Sequence, residues 1–198
     1  MDRRAFFKRA LHKAGETIVE EAVKRIATAP VNWVRPPYAL DEFSFIVACT
    51  SCGDCIAACS YGVIFSLSAS KGIQVAGTPA LDLLQKGCHL CEDWPCVASC
   101  KTGALHLPEV DEGQTRALPL LAIASINAET CLPYMGPECG ACASSCPVPG
   151  ALHWEGSRPM IDETLCVGCA LCRESCIVQP VAVQIRSRYR VVEQEDVA

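Results

Sequence analysis

Apolar residues near the start of the chain recur at the spacing of a helix. Phe7, Leu11, Ile18, Ala22 and Ile26 follow one another at steps of four or seven residues, with Lys and Glu between them. The pattern predicts an amphipathic helix over residues 3–27. Its apolar stripe packs either against the rest of this chain or against another subunit, and the pattern leaves both open.

The next segment cannot continue that helix. Pro36 and Pro37 lack backbone donors and restrict the residue before them, so residues 30–38 are predicted to form an extended strap. Trp33 is its expected apolar anchor. The apolar run at residues 43–48 then favours a strand leading into the first cysteine.

The sixteen cysteines fall into four closely spaced sets with none left over. The first and fourth sets read CxxCxxCxxxC, the second reads CxxCxxxxCxxxC, and the third has seven residues between its first two cysteines, followed by CxxCxxxC. CxxCxxCxxxC is the spacing with which bacterial ferredoxins bind [4Fe-4S] clusters. We therefore expect four [4Fe-4S] clusters, for which all sixteen cysteines together supply the iron ligands: Cys49, Cys52, Cys55, Cys59, Cys88, Cys91, Cys96, Cys100, Cys131, Cys139, Cys142, Cys146, Cys166, Cys169, Cys172 and Cys176.

Two other uses of cysteine fit this spacing less well. A disulfide framework is typical of small secreted chains, but no cleavable signal is recognised here and CxxC pairs are poorly suited to bridge one another. Structural zinc sites usually take two CxxC pairs from segments a dozen or more residues apart, whereas here each set crowds four sulfurs into a short segment. Iron–sulfur clusters remain the favoured interpretation.

The stretches between the sets repeat as well. A turn and a small or β-branched run follow each set, and return strands are expected at residues 72–76, 120–126 and 160–165. This order predicts an α+β fold, with short β-hairpins and short helices around the clusters and a pseudo-two-fold repeat of tandem dicluster ferredoxin modules. The amphipathic helix precedes them.

The gaps between the sets suggest how they pair. Nineteen residues separate the third set from the fourth, and 28 separate the first from the second. In two-cluster ferredoxins the fourth cysteine of one set ligates the other cluster. We expect the helix and strap at 1–38, one module at 39–126 with the first two sets, and another at 127–198 with the last two sets and a tail. A nested pairing, first set with fourth and second with third, uses the same sixteen ligands and stays open.

Charge is distributed unevenly. Residues 1–38 hold eight Lys or Arg against four Asp or Glu, whereas residues 39–198 hold nine against eighteen. Thiolates bound to iron would make the second region more acidic still. The composition argues against nucleic-acid binding and favours protein partners with basic or neutral docking surfaces.

No apolar run is long enough to predict a membrane span. The start, DRRAFFK at residues 2–8, is similar to a twin-arginine export pattern, but the apolar stretch that should follow it is absent. We expect a cytoplasmic protein, with periplasmic export as the alternative.

Three segments resemble a known family. The first is the third cysteine set, which begins Cys131-Leu132-Pro133-Tyr134 and has seven residues between Cys131 and Cys139. It resembles the third set of NapF and NapG, the ferredoxin-type proteins of periplasmic nitrate reductase. Their family also includes MauM of methylamine utilisation. The segment CEDWPC at residues 91–96 resembles NapG and the four-cluster subunits of molybdopterin oxidoreductases. The paired arginines at 3–4, with RPP at 35–37, resemble NapF.

The resemblance covers about residues 3–185 and implies electron transfer. The chain would be no enzyme by itself but the iron–sulfur subunit or partner of a molybdenum or tungsten oxidoreductase, which it could contact through the helix at 3–27. A maturation protein for such an enzyme and a free polyferredoxin are the alternatives. No catalytic constellation is recognised among the four scattered histidines, although His89 and Trp94 lie within the second cysteine loop.

Overall fold

Short elements alternate with cysteine-bearing loops through the part of the chain that the structure describes, residues 33–111 and 113–188. The structure is a computed structural model. Its helices are α1 (Glu42–Ala48), α2 (Asp54–Ala57), α3 (Pro95–Ala98), α4 (Leu132–Met135) and α5 (Leu171–Glu174), with one 3₁₀ turn at Ala69–Lys71. Its strands are β1 (Ile64–Ser66), β2 (Pro79–Leu81), β3 (Ala122–Ile126), β4 (Leu152–Glu155), β5 (Arg158–Ile161) and β6 (Val183–Ser187). The fold is α+β, as predicted. The predicted helix at 3–27 and the DRRAFFK start lie outside the described residues.

The strands form three antiparallel pairs. β1 pairs with β2, β4 with β5, and β3 with β6 over five residues from Ala122↔Ser187 to Ile126↔Val183. The hairpins β1–β2 and β4–β5 each lie between two cysteine sets, whereas β3 and β6 precede and follow the last two sets. β3 therefore pairs with a strand of the later half, although the predicted boundary at 126/127 placed it in the earlier module.

The prediction of a strand at residues 43–48 was wrong, because this run forms α1. The Asp41 side chain caps the helix by accepting a hydrogen bond from the Ser44 N–H at 3.1 Å, and Glu42 stands in the first turn. Both are favourable at the positive end of a helix. Phe45 is fully buried. The acidic pair at 41–42 was a helix-start signal that the apolar run concealed.

The predicted return strand at residues 72–76 was also wrong. This segment is a turn between two glycines with positive φ, Gly72 and Gly77. Val75 packs with Leu67 and Ala80 in a small separate core, and the return strand begins later, at Pro79. After the second cysteine set, the turn and small run at residues 102–106 form one bridge, Ala39↔Leu105. The other return strands form as β3 and β5, with shifted ends.

The described part of the strap is not helical and ends in a turn at residues 37–38, where Tyr38 has a φ of 56°, and its anchoring by Trp33 is as expected. Trp33 packs against the small core, and Val34 forms a bridge with Leu81. Arg35 is buried and binds Glu42 through two nitrogens, at 2.6 and 2.9 Å. It also donates to the Thr78 hydroxyl and the Pro79 carbonyl, both at 2.8 Å. The strap therefore ties α1 to the β1–β2 hairpin.

Within residues 33–111 and 113–188, the helices are all too short or too polar to cross a membrane.

Candidate iron–sulfur sites

Three of the four cysteine loops share one backbone conformation. The residue before the second cysteine has a positive φ in each loop: 54° at Ser51, 49° at Leu90 and 70° at Gly168. A second left-handed residue precedes the short helix that carries the third cysteine: Gly53 before α2, Trp94 before α3 and Ala170 before α5. Non-glycine residues in this region carry strain of about 1–3 kcal/mol each. Shared strain of this kind is typical of functional loops.

The third loop differs, since α4 occupies the seven-residue gap between its first two cysteines. α4 is held against the β4–β5 hairpin, because the Tyr134 hydroxyl donates to the Pro159 carbonyl at 3.0 Å. The Arg158 guanidinium lies 5.3 Å from the centre of the Tyr134 ring. The longer spacing between Cys131 and Cys139 thus accommodates a helix, while both cysteines still line one cavity.

The first group of thiols, which we name site 1, consists of Cys49, Cys52, Cys55 and Cys100. Burial raises the pKa of the Cys55 thiol to about 11, and the neighbouring Cys49, Cys100 and Cys52 raise it as well. Cys100 behaves differently: although burial raises its pKa, hydrogen bonds from Leu105 and Thr102 outweigh burial and leave the pKa lowered. The Leu105 N–H donates to the Cys100 sulfur at 3.3 Å.

Site 2 is a cavity of about 360 Å³, part of it open to solvent, lined by Cys59, Cys88, Cys91 and Cys96. Burial, followed by Cys88 and Cys59, raises the pKa of the Cys96 thiol to about 12. Trp94 forms part of the wall and is buried. His89 stacks on Tyr61 with ring centres 3.4 Å apart at the same cavity, so the two loop residues singled out in the sequence both line this site.

Site 3 is a cavity of about 340 Å³ lined by Cys146, Cys166, Cys169 and Cys172. Burial, followed by Cys169 and Cys166, raises the pKa of the Cys172 thiol to about 12. Leu152 and Ile161, directly opposite each other on β4 and β5, line the cavity.

Site 4 is a cavity of about 370 Å³ lined by Cys131, Cys139, Cys142 and Cys176. Burial raises the pKa of the Cys142 thiol, as do the nearby Cys176, Cys131 and Cys139, although the Cys142 amide lowers it. Trp154 and Pro159, the next inward-facing pair along the β4–β5 hairpin, lie in the wall.

Sites 2 and 3 meet through backbone contacts. The Cys88 N–H donates to the Cys169 carbonyl at 2.7 Å, which joins a cysteine of one site directly to a cysteine of the other. Beside this bond, the Gly87 N–H donates to the Glu174 carboxylate at 2.8 Å. Gly87 has to be small, because a Cβ there would lie 2.7–2.8 Å from atoms of Leu171.

At sites 2, 3 and 4 the cysteines that line one cavity come from two sets that follow each other along the chain. Each site takes three cysteines from one set and the fourth from the neighbouring set, and all sixteen thiols are free of disulfide bonds. Within residues 33–111 and 113–188, no group of three or more His, Cys, Asp or Glu has the spacing that holds a single metal ion. The donors at each site are soft sulfurs, and at sites 2, 3 and 4 they line an open volume; this donor set fits an iron–sulfur cluster.

Two residues near the sites were not anticipated from the sequence. Gly87 stands outside the cysteine spacing, and only the close approach of Leu171 shows why it is needed. Trp154 belongs to an alternating run, Leu152 to Glu155, which could have identified it as inward-facing. The sequence does not tell which cysteines such a side chain would face.

Curated proteins similar to this chain are ferredoxin-type proteins. The methylamine utilization ferredoxin-type protein MauM of Methylobacillus flagellatus is 31% identical over an alignment 201 residues long, which covers 94% of this chain and 84% of that protein. Ferredoxin-type protein NapG of Escherichia coli K12 is 30% identical over 77% of this chain and 69% of its own length. Ferredoxin-type protein NapF of the same strain is 29% identical over 77% and 85%. No protein-family model and no solved structure matches the chain.

Proposed function

Since this chain belongs to the ferredoxin-type family that includes MauM, NapG and NapF, we propose that it transfers electrons through four [4Fe-4S] clusters held by its sixteen cysteines. Such clusters, when bound, supply reversible one-electron transfer. The polypeptide supplies the ligands, their spacing and the exclusion of water.

The observation that carries the proposal is the lining of sites 2, 3 and 4. Each cavity is enclosed by four cysteines drawn from two different sets, a 3+1 arrangement. Two-cluster ferredoxins divide their ligands in this way. At site 1, the neighbouring Cys49, Cys100 and Cys52 all raise the pKa of Cys55.

Contacts between the sites support a linear order. Sites 1 and 2 share the first two cysteine sets, and sites 3 and 4 share the last two. Sites 2 and 3 are joined by the Cys88–Cys169 hydrogen bond. We propose the order 1–2–3–4, so that the second and fourth cysteine sets provide the two interior sites.

The same contacts support tandem modules. Each half has one hairpin between its cysteine sets and one outer pairing that brackets them, Ala39↔Leu105 in the first half and β3–β6 in the second. We place the boundary ahead of β3 rather than after it, because β3 completes the second half. The core nevertheless runs across the junction, where Leu83 and Cys88 belong to one apolar cluster with Val167 and Cys169.

Cysteine variants test both the clusters and their grouping. Anaerobically reconstituted protein should contain about sixteen irons and sixteen acid-labile sulfides per chain. Adding Cys59→Ala to Cys96→Ala should cause little further iron loss, because both serve site 2. Adding Cys55→Ala to Cys59→Ala should cause a second loss as large as the first, because they serve different sites. If Cys55→Ala and Cys59→Ala together cause no more iron loss than one of them alone, each set binds its own cluster and the 3+1 grouping is wrong. Eight irons or fewer in the parent protein would refute four clusters.

A partner is proposed from the family and the charge. The acidic composition of residues 39–198 favours docking to a basic or neutral surface, and the proposed partner is a catalytic oxidoreductase subunit. Purification under anaerobic conditions with the tagged chain tests this. A stoichiometric partner whose substrate reduces or oxidises the clusters, seen as a change in their absorbance, supports the proposal. A partner that binds the chain only in the partner's cofactor-free form supports a maturation role instead.

A further inference from the structure

One buried hydrogen-bond donor at site 4 is left without an acceptor. The indole Nε1 of Trp154 is closed to solvent and has no hydrogen-bond partner among the described residues. An indole N–H can only donate. Buried polar groups almost always find a partner, so an unpaired one calls for an explanation.

The place of Trp154 in the fold supplies that explanation. Trp154 lies on β4 opposite Pro159, and both residues line the site 4 cavity together with its four cysteines. The next residue, Glu155, and the preceding one, His153, are exposed, so the strand presents alternate residues to the site. Trp154, which carries the unpaired donor, thus lines the same cavity as four cysteines.

Neither the matching position of the β1–β2 hairpin nor the indole of Trp33 has a buried N–H without an acceptor. In the β1–β2 hairpin the residue opposite the equivalent proline, Pro79, is Ser66, which is exposed. The indole of Trp33 does have an acceptor, since its Nε1 donates to Glu42 at 3.3 Å. An orphaned indole in this hairpin position therefore belongs to the second half alone among the described hairpins.

We propose that the Trp154 indole N–H donates a hydrogen bond to a sulfur of the cluster bound at site 4 and raises the reduction potential of that site. The inference rests on the proposed function. Reduction adds one electron, taken from an external low-potential donor, and places more negative charge on the sulfurs. A donor aimed at them stabilises the reduced form more than the oxidised form, because hydrogen bonds to the sulfurs are one of the terms that set the potential.

Trp154→Phe keeps a ring in the wall and removes the N–H. In a redox titration of the loaded protein with dithionite, followed by electron paramagnetic resonance, one of the four signals should shift to lower potential. We expect about a tenfold smaller equilibrium constant for its reduction, equivalent to about 59 mV for a one-electron couple. Trp33→Phe makes the same change where the indole already has an acceptor, and His153→Ala alters the opposite face of β4; neither should move this signal.

The outcomes separate this inference from the one on which it rests. If all sixteen irons are present and Trp154→Phe leaves every potential unchanged, or lowers all four equally, the inference is wrong and the proposed function stands. If site 4 holds no cluster in the parent protein, the proposed function itself fails there. Should Trp154→Phe not accumulate, indole-¹⁵N tryptophan in a Trp94→Phe background provides the test. A ¹⁵N hyperfine coupling to a reduced cluster is expected, and its absence would overturn the inference.

Discussion

The two halves of the molecule hold similar cysteine sites by different means. In the second half β3 and β6 bracket sites 3 and 4 with a five-residue ladder of backbone pairs. In the first half the corresponding pairing is a single bridge, Ala39↔Leu105, with one backbone hydrogen bond on either side. Pro36 and Pro37 cannot donate to a ladder, and α1 begins only a few residues later.

Side chains do in the first half what the backbone does in the second. The Arg35–Glu42 pair, the indole of Trp33 and the buried ring of Phe45 join the strap, α1 and the β1–β2 hairpin. The hairpins differ as well. A two-residue turn joins β4 to β5, whereas twelve residues with their own small core join β1 to β2. Equivalent sites can thus be supported by regular pairing or by a few buried polar contacts, and the two should respond differently to substitution.

The largest effect is expected for Arg35→Ala. It leaves the buried Glu42 carboxylate without its cation and removes the donors to Thr78 and Pro79, and breaking a buried pair in this way costs about 3–5 kcal/mol. Anaerobic denaturation of the loaded protein followed by circular dichroism should show this loss of unfolding free energy, with iron lost from sites 1 and 2 first. Lys101→Ala, which removes an exposed ion pair with Asp54 at 3.3 Å, is the control and should change little. Equal effects of the two variants would mean that the strap does not hold the first half.

The next largest effect is expected at Gly168, which passes close to the first residue of β3. Its φ is +70°, and an added Cβ would overlap the backbone of Ala122, whose nitrogen is 2.6 Å away. Gly168→Ala should cost about 2–4 kcal/mol from overpacking and a disfavoured φ together, with loss of iron from site 3. Gly53→Ala is matched to it, since φ is +81° there but no atom lies within 4 Å of the added Cβ. A Gly53→Ala loss as great as that of Gly168→Ala would show that φ alone is responsible.

A moderate effect is expected at the junction. Gly87→Ala would press its Cβ against Leu171 and push apart the loops that contain Cys88 and Cys169, at about 1–3 kcal/mol. Because the contact lies between the halves, thermal unfolding of the loaded protein should separate into two transitions while the iron content stays near the parent value. One unchanged transition would indicate that the halves are coupled elsewhere.

The smallest effect is expected for Tyr134→Phe. The variant loses one hydrogen bond to the Pro159 carbonyl, worth about 1 kcal/mol. Denaturation midpoints should fall slightly, and only the iron of site 4 should become easier to remove with a chelator. A loss comparable to that of Arg35→Ala would show that α4, rather than the β3–β6 ladder, holds the second half.

Local patterns predicted some elements and misread others. The strap with Trp33 follows from proline chemistry, and the return strand expected at 160–165 forms as β5 with shifted ends. The prediction for residues 43–48 was wrong, because these six residues suit a strand or a helix and the Asp41 cap favours the helix. The prediction of a strand at residues 72–76 was wrong because Val75 packs in a small separate apolar core.

Cysteine spacing alone determined which residues are candidate ligands, since three sulfurs in a tight loop can reach one cluster and the fourth cysteine of the run is known to ligate the neighbouring one. It could not determine which cysteines of different loops meet, because that depends on how the hairpins and outer strands return the chain. Only the tertiary structure brings Cys88 to Cys169, requires a glycine at 87, and places Trp154 in the lining of site 4, since each depends on segments far apart in sequence.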